Sequence, residues 1–123
     1  MIVGLGTDIV EIQRIRAAYE RFGERFLEKV LTGRERALLP SAPVPYIAGR
    51  FAAKEAAVKA LGTGFSLGIS LQHIEVLPTP LGQPCLYLHG PAQERARKLG
   101  IRTHHISISH DRTSAVAVVL FEG

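Results

Sequence analysis

The stretch Arg50-Phe-Ala-Ala-Lys54-Glu55-Ala-Ala-Val-Lys59 sets Arg50 four residues from Lys54 and Glu55 four residues from Lys59. On a helix, residues four apart share a face. The Glu55–Lys59 pair reads either as a surface ion pair worth about 0.2–0.5 kcal/mol or, with Arg50 and Lys54 nearby, as part of a site in which a carboxylate holds a hard cation and cations meet phosphate oxygens. Magnesium commonly takes one or two protein carboxylates and leaves its other positions to phosphates and water. The only aspartates in the chain are Asp8 and Asp111. Asp8 could supply the second carboxylate, or cap a helix in company with Glu11 three residues on. His110, next to Asp111, stands at the end of a predicted strand, where an imidazole exchanges protons or contacts an anion, or simply closes a hairpin. His104 and His105 are adjacent, so on a strand they point to opposite faces and do not chelate one ion together. Arg14, Arg21 and Arg25 recur at helical spacing and form a basic stripe: a solubilising face, or a dock for an acidic helix or nucleic acid. With 7% aromatic residues and no Trp, the stacking platforms that single-stranded nucleic acid favours are scarce.

These groups need elements to hold them. Met1 to Asp8 reads as a strand, and Ile9, Ile12, Ile15, Tyr19 and Phe22 then recur at helical spacing up to Gly23. Phe26 to Leu31 and Arg34 to Leu39 suggest two short helices, followed by a proline-rich loop, Pro40 to Pro45. Tyr46 to Leu61 is the clearest helix, Ala-rich and stopped by Gly62. Ile69 to Leu77 and Cys85 to Leu88 read as strands, Pro91 to Leu99 as a helix opened by proline, and Thr103 to Ser109 and Ser114 to Phe121 as a last pair of strands. The order β-ααα-ββ-α-ββ predicts an α+β domain with a small antiparallel sheet packed against a long helix.

At 123 residues a single domain spanning 1–123 is expected, long enough to fold without disulfides. The one cysteine, Cys85, excludes a disulfide framework and a Cys-rich metal site. No apolar run reaches the length of a membrane span and the N-terminus lacks a secretory pattern, so a soluble cytoplasmic protein is expected. The net charge of +4, carried mostly by arginine, suits an anionic partner. Gly4-Leu-Gly6 is not a dinucleotide loop, because its third glycine is missing and the pair falls inside a strand; no Walker A sequence exists either.

Gly4-Leu-Gly6-Thr-Asp8-Ile9, the segment from Arg50 through Lys59 to Gly62-Thr63-Gly64, and Ile106-Ser-Ile-Ser-His110 together resemble, over essentially the whole chain and in the right order, the small 4′-phosphopantetheinyl transferases known as holo-[acyl-carrier-protein] synthases. The resemblance implies transfer of 4′-phosphopantetheine from coenzyme A to a serine of apo acyl carrier protein, with 3′,5′-ADP leaving. It implies Asp8 and Glu55 as ligands of magnesium, with manganese also acceptable, and Lys59 as the active-site lysine. Arg50, Lys54, Gly62, Thr63, Gly64 and His110 would hold coenzyme A, with Gly82, Gln83 and Pro84 near its adenine end. The serine's general base stays open among a metal-bound water, a carboxylate and His110, with Asp111 as an added candidate base or orienting group. Arg14, Arg21 and Arg25 would dock the acidic helix of the carrier protein. The resemblance further implies a homotrimer with active sites at subunit boundaries, and neither a membrane nor nucleic acid as partner. The competing reading is a small basic binding module without catalysis, and dependence on a divalent cation separates the two.

Overall fold

Alanine at the centre of the principal helix decides how closely the other elements pack. In a computed structural model describing residues 1–123, the chain runs β1 (Ile2–Glu11), α1 (Ile12–Phe22), α2 (Glu24–Val30), α3 (Gly33–Ala37), α4 (Val44–Ala60), a 3₁₀ turn at Leu71–His73, β2 (Ile74–Pro78), β3 (Pro84–Leu88), α5 (Gly90–Leu99), β4 (Thr103–His110) and β5 (Ser114–Glu122). Helix α4 starts with Pro45 in its first turn and buries Ala52, Ala53, Ala56 and Ala57 completely. A helix face made of methyl groups lets a sheet lie close to its backbone. The sheet that does so has the order β1-β5-β4, antiparallel throughout, while β2 and β3 form a separate hairpin. The α+β fold is as expected, with two small sheets where one was predicted.

Side chains two apart on a strand face the same way. Gly4, Gly6 and Asp8 therefore share the face of β1 that meets α4. A Cβ at Gly4 would sit 2.1 Å from the Ala60 carbonyl oxygen, and one at Gly6 would sit 1.9 Å from that of Ala56. Glycine is required at both positions because backbone meets backbone there. Ala117, Val119 and Phe121 of β5 complete this layer with α4. A second cluster, built on Ile12, Ile15, Leu27, Val30, Leu31, Val44 and Ile47, joins α1 and α2 to the N-terminal half of α4.

Some expected boundaries move. The first helix does not begin after Asp8: β1 continues to Glu11, because Asp8 pairs opposite Ala117 and Glu11 opposite Ser114. Asp8 and Glu11 accordingly form no capping box, and Glu11 caps α1 without a side-chain bond. Ile9, expected on the helix, lies on the outer face of the strand, 68% exposed. Phe22, expected on the buried face of α1, is 48% exposed at the helix end, with the Arg21 guanidinium 5.1 Å from its ring centroid. The strand expected from Ile69 begins at Ile74, since Leu71–His73 form a 3₁₀ turn capped by Ser70.

The β2–β3 hairpin is pinned to α3 by Glu75, 3% exposed, which accepts bonds from Thr32, Arg34 and His89. Burial alone would push this carboxyl up, yet the bonds from Arg34, Thr32 and His89 outweigh it and bring the group down from 4.5 to about 2. A depressed carboxylate pKa stabilises the fold above the unfolded value, and that contribution is lost as pH falls from 4.5 towards 2. Glu75→Gln is expected to lower stability at pH 7 by about 2 kcal/mol. Urea melts of parent and variant should converge as acid is added through that window, and a gap independent of pH would refute the assignment.

Candidate active site

Strand β1 and helix α4 bring their polar groups to one cleft of about 740 Å³, with Asp8, Arg14, Phe51, Glu55, Lys59 and Ser114 among its walls. Phe51, Glu55 and Lys59 recur every four residues and so project from one ridge of α4. Asp8 arrives from the opposite wall because Gly4 and Gly6, on the same face of β1, allow that strand to touch the helix. The Lys59 ammonium, on a side chain 52% exposed, donates to Asp8 Oδ1 and to the Thr7 carbonyl, both at 3.0 Å. The four-residue spacing suggested a Glu55–Lys59 pair; the closer partner of Lys59 is Asp8. Burial raises the Glu55 pKa, the neighbouring Asp8 charge raises it further, and Lys59 partly offsets both. Two carboxylates held together against their own repulsion, with an ammonium beside them and solvent at the mouth, are the group types that a hard cation and a phosphate call for.

The cleft continues into an apolar groove through shared Ala18, Phe26 and Phe51, with Phe22, Arg25 and Lys29 on its walls. Arg14 borders the first part and Arg25 the second, while Arg21 lies over Phe22. The three arginines are not one helical stripe as expected: α1 ends at Phe22, and Arg25 follows the break at Gly23 on α2, so cleft and groove are bordered by cations from two helices.

The other predicted residues lie elsewhere. His110 and Asp111 line a separate cleft with Arg16, Arg112 and Thr113, which shares no lining residue with the Asp8–Glu55 cleft. Asp111 is a turn-former: its Oδ1 accepts from the backbone N–H groups of Thr113 and Ser114, both at 2.9 Å, and from the Thr113 hydroxyl. Those bonds, led by the Thr113 N–H, lower its pKa, which works against a base. Gly62, Thr63 and Gly64 close the end of α4, where the N–H groups of Thr63 and Gly64 donate to the Val58 carbonyl. The segment after them returns to the site, with Phe65 lining a hollow beside Phe51 and Glu55. Gly82 and Gln83 belong to the β2–β3 connection and Pro84 opens β3, and Gln83 and Pro84 face a third cleft with Arg102 and His104. Arg50 stacks over Tyr46, 4.2 Å from the ring centroid, and its Nε is buried without a hydrogen-bond partner. A flat cation held rigid with a donor unspent is suited to an anion.

Lys54 is corrected outright. Grouped from its spacing with cations that would touch a ligand, it is fully buried, and its ammonium is taken up by protein oxygens. Its partner Glu35 and the hairpin anchor Glu75 were missed. For Glu35 a signal existed: Thr32-x-x-Glu35 is a capping-box pattern, and both halves of the box form. For Glu75 the signal was a lone carboxylate inside the apolar run Ile74 to Leu77.

The family model of the 4′-phosphopantetheinyl transferase superfamily matches residues 4–119. The chain is 61% identical over 122 residues to the holo-[acyl-carrier-protein] synthase of Desulfovibrio desulfuricans, covering 99% of this chain and 98% of that one. The crystal structure of holo-[acyl-carrier-protein] synthase from Neisseria meningitidis superposes with a TM-score of 0.91 at 37% identity, over 100% of both chains. That of the Helicobacter pylori synthase, in complex with coenzyme A, gives 0.86 at 36% identity, over 96% of this chain and 99% of the other. With the likeness running through sequence and structure alike, the chain belongs to the 4′-phosphopantetheinyl transferase superfamily, among the holo-[acyl-carrier-protein] synthases.

Proposed function

We propose that the Asp8–Glu55–Lys59 cleft is where this enzyme, with magnesium, moves 4′-phosphopantetheine from coenzyme A to a serine of apo acyl carrier protein. The observation that carries the reading is the meeting of two carboxylates and a half-exposed ammonium in one open cleft. The residues fit a magnesium ion: they offer two hard oxygen ligands on a strand and a helix, and no third His, Cys, Asp or Glu gathers with them. Bound there, magnesium or manganese would neutralise pyrophosphate charge and polarise the phosphorus under attack.

The serine oxygen forms a bond to the β-phosphorus, the pyrophosphate P–O bond breaks, and its electron pair leaves on 3′,5′-ADP. Lys59, whose ammonium lies beside Asp8, would stabilise or protonate that departing oxygen. Water, a carboxylate and His110 of an adjoining copy each fit as acceptor of the serine proton. Arg50, with its unspent Nε, would help hold coenzyme A together with Gly62, Thr63, Gly64 and His110, and Gly82, Gln83 and Pro84 would lie near its adenine end.

Association into trimers is supported by the outer face of the three-stranded sheet, where Leu5, Ile9 and Val118 are exposed together. It would bring a neighbour's His110 cleft to each site, which a single chain keeps apart. No helix is long and apolar enough to cross a membrane. On this proposal the enzyme acts in the cytoplasm, as one domain.

The test is intact-mass analysis of apo acyl carrier protein incubated with the enzyme, coenzyme A and magnesium, beside a chelator control. The expected result is a metal-dependent gain of one phosphopantetheine; no gain would turn attention to the binding-module reading. For the arginines, Arg21→Glu with Arg25→Glu should raise KM for the carrier protein on the order of tenfold while leaving KM for coenzyme A within about twofold, with a flatter salt dependence. Equal losses for both substrates would dismiss a dedicated docking face.

A further inference from the structure

The residue before Glu55 in α4 is the least solvent-exposed cation in the chain. Lys54 has no exposed side-chain surface, nor has Glu35. Its ammonium donates to the Val30 carbonyl at 2.5 Å, Glu35 Oε1 at 2.6 Å and the Leu71 carbonyl at 3.0 Å. Three donors meet three acceptors, which is the full capacity of an ammonium and leaves none for a ligand. Val30 ends α2, where the helix dipole favours a cation. Glu35 is equally committed: Oε1 also accepts from the Thr32 N–H at 2.8 Å, and Oε2 from the Val76 N–H at 2.8 Å.

The pair therefore ties α4 to α2, α3, β2 and the 3₁₀ turn at one point. Two of these ties bear on the cleft. Successive helix residues stand about 100° apart, so fixing Lys54 fixes the direction in which Glu55 points. Leu71, whose carbonyl Lys54 holds, lines the hollow beside Phe51 and Glu55 together with Phe65, Ser70 and Gln72. Burial of two charges is a poor way to gain stability, since apolar side chains of similar volume do as well or better; what a fully bonded pair supplies is a single geometry.

We propose that Lys54 with Glu35 is a positioning pair for the phosphopantetheinyl transfer site: it sets the rotation of α4 that faces Glu55 towards Asp8 and clamps the Leu71 wall, without touching coenzyme A. This rests on the reading of Glu55 and Asp8 as cation ligands.

Two experiments test it. Among Lys29, Lys54, Lys59 and Lys98 only Lys54 is buried, so in the native enzyme labelled with nitrogen-15 lysine its ammonium signal should be the one protected from solvent exchange. It should stay in place when coenzyme A is added without metal, while the Lys59 signal moves. A Lys54 signal that moves as far as that of Lys59 would overturn the proposal. The second uses Lys54→Met with Glu35→Met, which removes both charges together and leaves neither buried alone. Manganese affinity, read by calorimetry without substrate, should fall about tenfold, and kcat should fall at least as far, with KM for coenzyme A nearly constant. If the parent binds no manganese, the cation-site reading fails. If the parent binds and the double variant binds and turns over equally well, or if only KM for coenzyme A changes, the positioning role fails while the site stands.

Discussion

Gly6→Ala should abolish transfer and cost the fold at least about 3 kcal/mol, the upper end of what an inserted methyl group costs in a packed interior. The added carbon would lie 1.9 Å from the Ala56 carbonyl oxygen and 2.8 Å from the Ala60 nitrogen. Both are backbone atoms, so no side chain can swing aside. Strand β1 must lift from α4 or the helix must bend, and either opens the gap across which Lys59 reaches Asp8 and Thr7. Thermal melts and turnover of the same preparation check this together. An alanine variant with parental melting and parental turnover would show that strand and helix do not meet as described. Gly33, which has nothing within 4 Å of an added Cβ, is the control and should accept alanine with little change.

Glu55→Gln should do the opposite to stability and the same to activity. The Glu55 pKa is raised by burial and by the Asp8 charge. A carboxyl raised above its unfolded value stabilises the fold at pH below the unfolded pKa, and that contribution disappears as pH climbs through the folded pKa. At neutral pH the ionised group is therefore a burden on the metal-free protein, and the neutral amide removes it. The variant should melt higher than the parent at pH 7 without divalent cation, and the difference should shrink towards pH 4. Turnover should drop on the order of 10²–10³-fold, as when one preorganised electrostatic partner of a transition state is lost. Magnesium should raise the melting temperature of the parent more than that of the variant. An amide variant that melts lower than the parent at neutral pH would mean that Glu55 belongs to the structure and not to the site.

Local patterns made the elements legible, and tertiary pairing decided where they end. The Ala-rich helix was readable because its propensity, its proline start and its glycine stop all agree over Val44–Ala60. Ile9 misled because its spacing from Ile12 and Ile15 is as good for a helix as for a strand that turns into one. Pairing with Val116 on β5, more than a hundred residues later, settles it as strand. In the site, Asp8, Glu55 and Lys59 were legible as a group and are brought together. Lys54 was misplaced because two cations four apart look alike in one dimension. What separates them is the carboxylate of Glu35 on another helix, and no spacing rule reports that. His110 shows the same limit, since neighbours along β4 cannot say which cleft a strand end will face.

The order β1-β5-β4 sets a condition on how the enzyme is made. Asp8 leaves the ribosome more than a hundred residues before Ala117, the residue it pairs with on β5. Until β5 emerges, β1 has no edge to join, and the helix against which it lies has only part of its cover. Contacts this distant in sequence also fold slowly. The helices of the middle of the chain can form as they are synthesised, but the carboxylate pair exists only when the first strand and the last have met. Translation that stalls before β5 therefore leaves helices without the strand that holds Asp8 in place.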